Sequence, residues 1–411
     1  MKNAVQPFWG VTLVAAAILM VTMGARQSLG LFVSPLNTTT GLGLAAISLT
    51  MAIGQFMWGA VQPVAGAFSD RFGPARVLAA GMLLLALGSA LTPFMTSTWG
   101  LIFSIGFLSA IGSGAGSFSV LISAAAQRLP AHRRGIASGI INAGGSFGQF
   151  VFAPLLQMLI AVFGWMGAMW SIALITLAAL PLARALRRPP THAFAFHPDH
   201  AGSEDASAPK DKGLKAAIRD ALADRSYLLL HAGFFTCGFH IAFLVTHLPG
   251  EVQLCGQLPQ VASWSLAIIG LANIAGSLLA GWAVQHYRSK YILFWMYASR
   301  SVLVLAYLLA PKSALTFDLF AAGLGLTWLA TVPPTAGVVG KLFGTRYLAT
   351  MFGLTLLSHQ IGGFFGAWLG GLAMTESGNY DWMWYGDITL AALAALCNLP
   401  IREARLAPQP V

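Results

Sequence analysis

The 411-residue chain is 57% hydrophobic and only 9% charged, so most of its surface must face lipid and a soluble globular domain is excluded. Its formal net charge of +10 is spread along the flanks of apolar segments and forms no single basic face, which argues against nucleic acid as a partner. The apolar runs are dominated by Ala, Leu and Gly without the strand-length alternation of a membrane β-barrel. Cys237, Cys255 and Cys397 have neither paired nor metal-ligand spacing, so no disulfide frame or metal site is expected.

Runs of about 20 apolar residues match the length of helix needed to cross roughly 30 Å of hydrocarbon, where backbone groups must bond internally. The first such run follows Met1-Lys2, spans 8–36, lacks a cleavage site and leads directly into more spans, so it reads as a helix and not as a signal peptide. Charge clusters and Pro/Gly breaks predict further helices at 45–68, 77–95, 99–122, 135–160 and 164–186. A polar stretch from Arg187 to Ser226 follows, too hydrophilic for the membrane. Within it Leu214, Ala217, Ile218, Ala221 and Leu222 recur at helical spacing, predicting a short surface helix. A second set of helices is predicted at 227–249, 260–285, 290–310, 314–338, 347–373 and 382–401. The expected architecture is an all-α membrane protein with twelve transmembrane helices in two pseudo-symmetric six-helix bundles, 1–186 and 227–411, joined by the linker 187–226.

All but three of the 23 Lys and Arg fall at the N-terminus, on even-to-odd loops, in the linker or in the C-terminal tail, which predicts cytoplasmic termini. The exceptions are Lys312 in a loop on the opposite side and Arg26 and Arg300 inside helices. A shift of about 214 residues carries Pro35 onto Pro249, Gly139 onto Gly353, Gly148 onto Gly362 and Arg26 onto His240. Parallel repeats of this kind place a substrate site near the midplane between the halves and work by rocking.

An ionised side chain in a span costs about 2.5 to 3.5 kcal/mol on insertion scales, so each needs a partner or an aqueous cavity. Arg26 lies some 27 Å along the first helix at about 1.5 Å per residue, too deep to snorkel easily from the near side. No acidic residue occupies the first six spans, so the partner proposed for Arg26 is a substrate carboxylate, gripped through two parallel hydrogen bonds. The bland alternative is a structural Arg bonded to backbone carbonyls. Arg300 is read instead as half of a structural ion pair with Asp387. His240, His247 and Thr236 share one helix face, and His240 is a candidate proton carrier opposite Arg26, with a hydrogen-bonded packing histidine as the alternative. Gln55, Trp58 and Gln62, then Asn142, Ser146 and Gln149, then Asn273 and Ser277, and His359 beside Gln360 form polar stripes expected to line the cavity or to bond helices together. Substrate contacts are assigned to Arg26, Gln55, Asn142, Gln149, His240, Asn273 and His359. No catalytic motif or phosphate loop accompanies them, so neither an enzyme nor a nucleotide-driven pump is expected.

The segment Gly66-Ala67-Phe68-Ser69-Asp70-Arg71-Phe72-Gly73-Pro74-Ala75-Arg76 resembles the signature loop of the major facilitator superfamily, with a degenerate echo from Gly281 to Arg288 in which Gln285 replaces the acid. The resemblance implies a gating role for Gly66, Asp70, Arg71 and Gly73, with the Asp70 carboxylate engaging the start of the eleventh helix, a favourable charge–dipole arrangement. Gly24 to Leu36, Ser146 to Pro154 and Gly344-Thr345-Arg346 are similar to bacterial carriers of the monocarboxylate transporter group. Many of those carriers hold their anion with an Arg in the eighth helix, whereas Ile269 to Ser277 contains none here. The resulting expectation is a monomeric inner-membrane secondary transporter of a small organic anion, driven by the substrate gradient or by protons, with no cofactor. A carrier or efflux pump for neutral or hydrophobic compounds, or a non-transporting sensor, is the alternative.

Overall fold

Lipid offers the backbone no hydrogen-bond partner, and the chain answers with helices in every described segment that crosses the apolar layer. The computed structural model describes residues 8–126, 128, 131–187, 214–343 and 348–403, and the side chains of Asp70 and Arg71 lie outside that set. Helix α1 (Phe8–Gln27) gives way to a 3-10 turn (Leu29–Phe32) and resumes as Val33–Thr40. Helices α2 (Leu44–Phe72) and α3 (Pro74–Leu91) are continuous. Helix α4 comprises Thr98–Leu101, a π-helical stretch Ile102–Ser109 and Ala110–Ala115, and resumes after Gly116 as Phe118–Ala126. The stretch Ala131–Ala179 turns at Gly164, whose φ of 70° suits a residue without Cβ, and so divides into α5 and α6.

The second half begins with the short amphipathic helix Leu214–Ala223, where the spacing predicted it. It continues with α7 (Arg225–Leu254), α8 (Pro259–His286), α9 (Ser289–Leu309), α10 (Ala314–Thr327, resumed as Val332–Phe343), α11 (Leu348–Ser377) and α12 (Asp381–Asn398). Among the described residues nine helical segments meet the length and hydropathy of a membrane span, and one of them, Gly139–Ala185, contains the turn at Gly164. Boundaries fall within a few residues of those read from charge and Gly/Pro placement. The breaks inside α1, α4 and α10 were not predicted, although the Gly112, Gly114 and Gly116 series leads into the one in α4 and Pro333-Pro334 follow the one in α10.

The halves pack alike. Helix α1 lies along α5 as α7 lies along α11, while α2 against α11 and α5 against α8 join the halves. Tight contact occurs away from the face where α1 begins and α12 ends. A methyl group at Gly30 would overlap the Val245 carbonyl, and one at Gly371 would overlap the Ser48 side chain. Toward the terminal face no atom among the described residues comes within 4 Å of a Cβ built at Gly66, Gly139, Gly281 or Gly353. Among the described residues, close approach of the halves is thus seen on the far side.

Beyond α12 the chain returns to clamp the terminal face. The Glu403 carboxylate accepts from the amides of Ser289 and Lys290, both at 2.9 Å, at the start of α9 and pairs with Lys341 at 2.5 Å. An anion at a helix N-terminus is favoured by the free amides and the helix dipole. Burial alone would raise the Glu403 pKa, but the bonds from Lys341, Lys290 and Ser289 outweigh it and hold the carboxyl below the ordinary carboxylate value. Glu403→Gln is predicted to cost about 1 to 3 kcal/mol, as expected for charge-assisted bonds, and to lower Tm in a thermal melt at neutral pH. Because the folded-state pKa is depressed, this contribution is complete above the ordinary carboxylate pKa and fades as pH falls through the folded value, so the two melting curves should converge in acid.

Candidate functional site

Arg26 stands in the last turn of α1, at the point where that helix breaks. The guanidinium donates to the Gln27 side-chain oxygen at 3.0 Å and to that of Gln55 on α2, and it lies 4.1 Å from the ring centre of Trp58. Gln55 and Trp58 are three residues apart on one face of α2, which is why both reach the same cation. No carboxylate lies within ion-pair distance of Arg26 among the described residues. Two amide oxygens and an aromatic face orient a cation without neutralising it. Arg26 and Gln55 also border a small cavity of about 40 Å³ that includes Ser89, Ser109, Ser113 and Thr246. Space of that size takes about two or three waters.

Polar groups gather at the helix breaks. Thr22 on α1 donates to the Gly116 carbonyl at 3.0 Å, at the interruption of α4. In the second half the Cys237 thiol on α7 lies 3.3 Å from the Thr331 hydroxyl at the interruption of α10. Asn273 on α8 serves that same break, since its side-chain oxygen accepts from the Leu329 amide at 3.0 Å while its NH2 donates to the Ser146 hydroxyl on α5 at 2.9 Å. Asn273 thereby ties the two halves together.

The structure brings together some of the expected site residues and separates others. Arg26 and Gln55 are in contact, and Asn273 meets Ser146, a turn or less from Asn142 and Gln149. Gln149 and Asn273 are buried and Asn142 is partly exposed. His359 is largely buried and packs on the Phe234 ring at 4.9 Å, with the Gln360 amide 3.3 Å from its Nδ1. His247 is a packing histidine whose Nε2 donates to the Ala367 carbonyl at 2.7 Å.

Two expectations are corrected. His240 does not line the interface opposite Arg26: its side chain is fully buried inside the second half, and its Nδ1 lies 2.5 Å from Asp387 Oδ2 on α12. Arg300 and Asp387 form no direct ion pair. The Arg300 guanidinium donates to the Thr327 carbonyl at 2.6 Å and to that of Trp328 at 3.4 Å, with the Cys237 sulfur at 3.6 Å. The reason is the break in α10, just before Pro333-Pro334, which leaves carbonyls at the negative end of a helix dipole for a cation to cap. Of the gate residues, Gly66 and Gly73 lie at the terminal side, with Gly73 capping α2 at φ 88°, whereas the Asp70 and Arg71 side chains are outside the described residues. Sequence reasoning missed the contact of Glu251 with the Tyr307 hydroxyl at 2.7 Å, although an acid next to the Pro249-Gly250 pair in α7 was a visible signal.

Comparison with known proteins agrees with this architecture. Residues 15–367 match the family model described as Major Facilitator Superfamily. The chain is 28% identical over 408 residues to monocarboxylate transporter 13 of Rattus norvegicus, covering 95% of this chain and 89% of that protein. It is 24% identical to the oxalate:formate antiporter of Oxalobacter formigenes, covering 91% of this chain and 86% of that protein. The crystal structure of a D-xylose-proton symporter superposes with a TM-score of 0.76 at 16% identity, covering 96% of this chain and 97% of that one, a likeness of fold. A helical chain in two matching halves thus meets a family model across most of its length: it belongs to the Major Facilitator Superfamily and is an integral membrane transporter.

Proposed function

We propose that the protein is a secondary carrier of a small monocarboxylate anion, working by alternating access with proton symport. The observation that carries this reading is Arg26, a guanidinium oriented by Gln55, Gln27 and Trp58 beside a helix break, with no carboxylate bonded to it among the described residues. A substrate carboxylate supplies the missing counter-charge through a paired hydrogen bond. The likeness to a monocarboxylate transporter and to an oxalate:formate antiporter supports the same class of cargo. Asn142 and Gln149 on α5 and His359 on α11 shape the remainder of the site, Asp70 and Arg71 gate it, and Asn273 sets the contact between halves. The protein acts as a monomer in the bacterial inner membrane, with both termini in the cytoplasm on the side of the basic loops.

Uptake of labelled monocarboxylates into proteoliposomes tests the anchor. Arg26→Ala is expected to weaken apparent affinity at least about tenfold, the worth of one lost charge-assisted bond, while Arg26→Lys retains part of it. Unchanged uptake by Arg26→Ala overturns the assignment. Uptake indifferent to substrate ionisation points to a carrier of neutral compounds, and binding without flux points to a sensor.

The rocking motion makes a separate prediction. Gly139→Cys and Gly281→Cys, at the terminal side where no atom among the described residues crowds them, should react readily with a thiol reagent applied from that side. Saturating substrate should change the rate of labelling at both positions, and rates indifferent to substrate would count against alternating access at these helices.

A further inference from the structure

Inside the second half lies a polar cluster that the carboxylate anchor does not use. His240 on α7 and Asp387 on α12 are both 0% exposed and 2.5 Å apart. Arg300 on α9 is equally buried and caps the broken end of α10. Trp328 at the break in α10 packs on His240, and around Arg300 and the Cys237 sulfur it touches lie Tyr297 on α9, Thr331 at the break and His359 on α11. His240 Nε2 and Asp387 Oδ1 have no hydrogen-bond partner among the described residues. A buried pair with one atom of each partner unsatisfied is a poor device for stability alone.

The two-fold repeat indicates that the fold itself does not require these charges. The shift that carries Arg26 onto His240 carries Ala86 onto Arg300 and Ala173 onto Asp387. Both alanines are buried, in a first half that packs the same way. One half therefore builds the fold with methyl groups where the other holds a guanidinium and a carboxylate.

With His240 neutral, the charges of Arg300 and Asp387 sum to zero. One proton taken up by the pair, on the imidazole or on the carboxylate, leaves a net charge of +1 that one monoanionic substrate offsets. Removal of the Asp387 charge leaves Arg300 to the carbonyls of Thr327 and Trp328. The adjoining Leu329 amide is held by Asn273, which is bonded to Ser146 in the first half. A continuous chain of contacts thus joins the pair to the contact between halves.

We propose that the His240–Asp387 pair is the proton-binding site of this carrier, and that the break in α10 couples its protonation to the contact between the two halves. This rests on the proton-symport reading above, but its first test needs no substrate. Proton uptake by the purified protein in weakly buffered micelles is titrated from about pH 8 to about pH 5, the range in which a histidine changes charge, for wild type, Asp387→Asn and His240→Gln. Each folded variant is expected to take up about one proton fewer than wild type, since the pair titrates as a unit. Uptake equal to wild type in either folded variant overturns the proposal. Should Asp387→Asn fail to fold, His240→Gln, which keeps a donor toward Asp387, carries the same test.

Labelled L-lactate in proteoliposomes then reads the coupling. Asp387→Asn is expected to keep exchange at equal pH while losing acid-driven accumulation, which for one proton per anion approaches about tenfold per unit of pH difference. Loss of exchange together with accumulation in a folded variant would make the pair a structural element and overturn the coupling role. Failure of wild type to carry L-lactate would count against the monocarboxylate reading and leave the proton titration to decide the site.

Discussion

The structure depends on one constraint, that a backbone group freed inside hydrocarbon has no water to turn to. Among the described residues three helices nevertheless break within the apolar layer, and two of the breaks are met by side chains from neighbouring helices. Thr22 serves the break in α4, Arg300 and Asn273 serve the break in α10, and the break in α1 is followed by Ser28, which bonds back to the Gly24 carbonyl at 2.9 Å. Polar residues in this chain are thus concentrated where helices are interrupted. Interruptions at mid-depth are also where carriers of this architecture hold cargo, because unwound backbone is tolerated only where protein or a cavity surrounds it.

The repeat relating the halves extends to these details. The first helix of each half reaches the break in the fourth helix of the same half, through Thr22 in one case and Cys237 in the other. Against that shared frame the differences stand out. One half presents a cation whose partners are amides and an aromatic ring, and the other buries an imidazole and a carboxylate beside a guanidinium. A division of labour between anion binding and proton binding is the simplest account of such an asymmetric distribution of charge on a symmetric scaffold.

Contact between halves follows the same economy. Close approach on the far side requires glycine at Gly30 and Gly371, where a methyl group would overlap the facing chain, whereas on the terminal side no atom among the described residues crowds Gly139 or Gly281. Helices that meet through small residues separate without leaving large apolar pockets, which suits a surface that must open and close.

Much of this was legible in the residues themselves. Hydrophobic runs and the placement of Lys and Arg determined the helices, their approximate ends and the linker, because burial of the backbone in lipid leaves few other solutions. The signature segment from Gly66 to Arg76 marked the family, and the isolation of Arg26 among apolar neighbours marked it as a residue needing a partner. The partners themselves were decided only in three dimensions. Asp387 was paired with Arg300 by the sequence argument but bonds His240 instead, because Arg300 is taken up by the carbonyls freed at the break in α10. A hydrogen bond between helices is set by their rotation and depth relative to each other, and those follow from the packing of the whole bundle and not from the spacing of residues along any one helix.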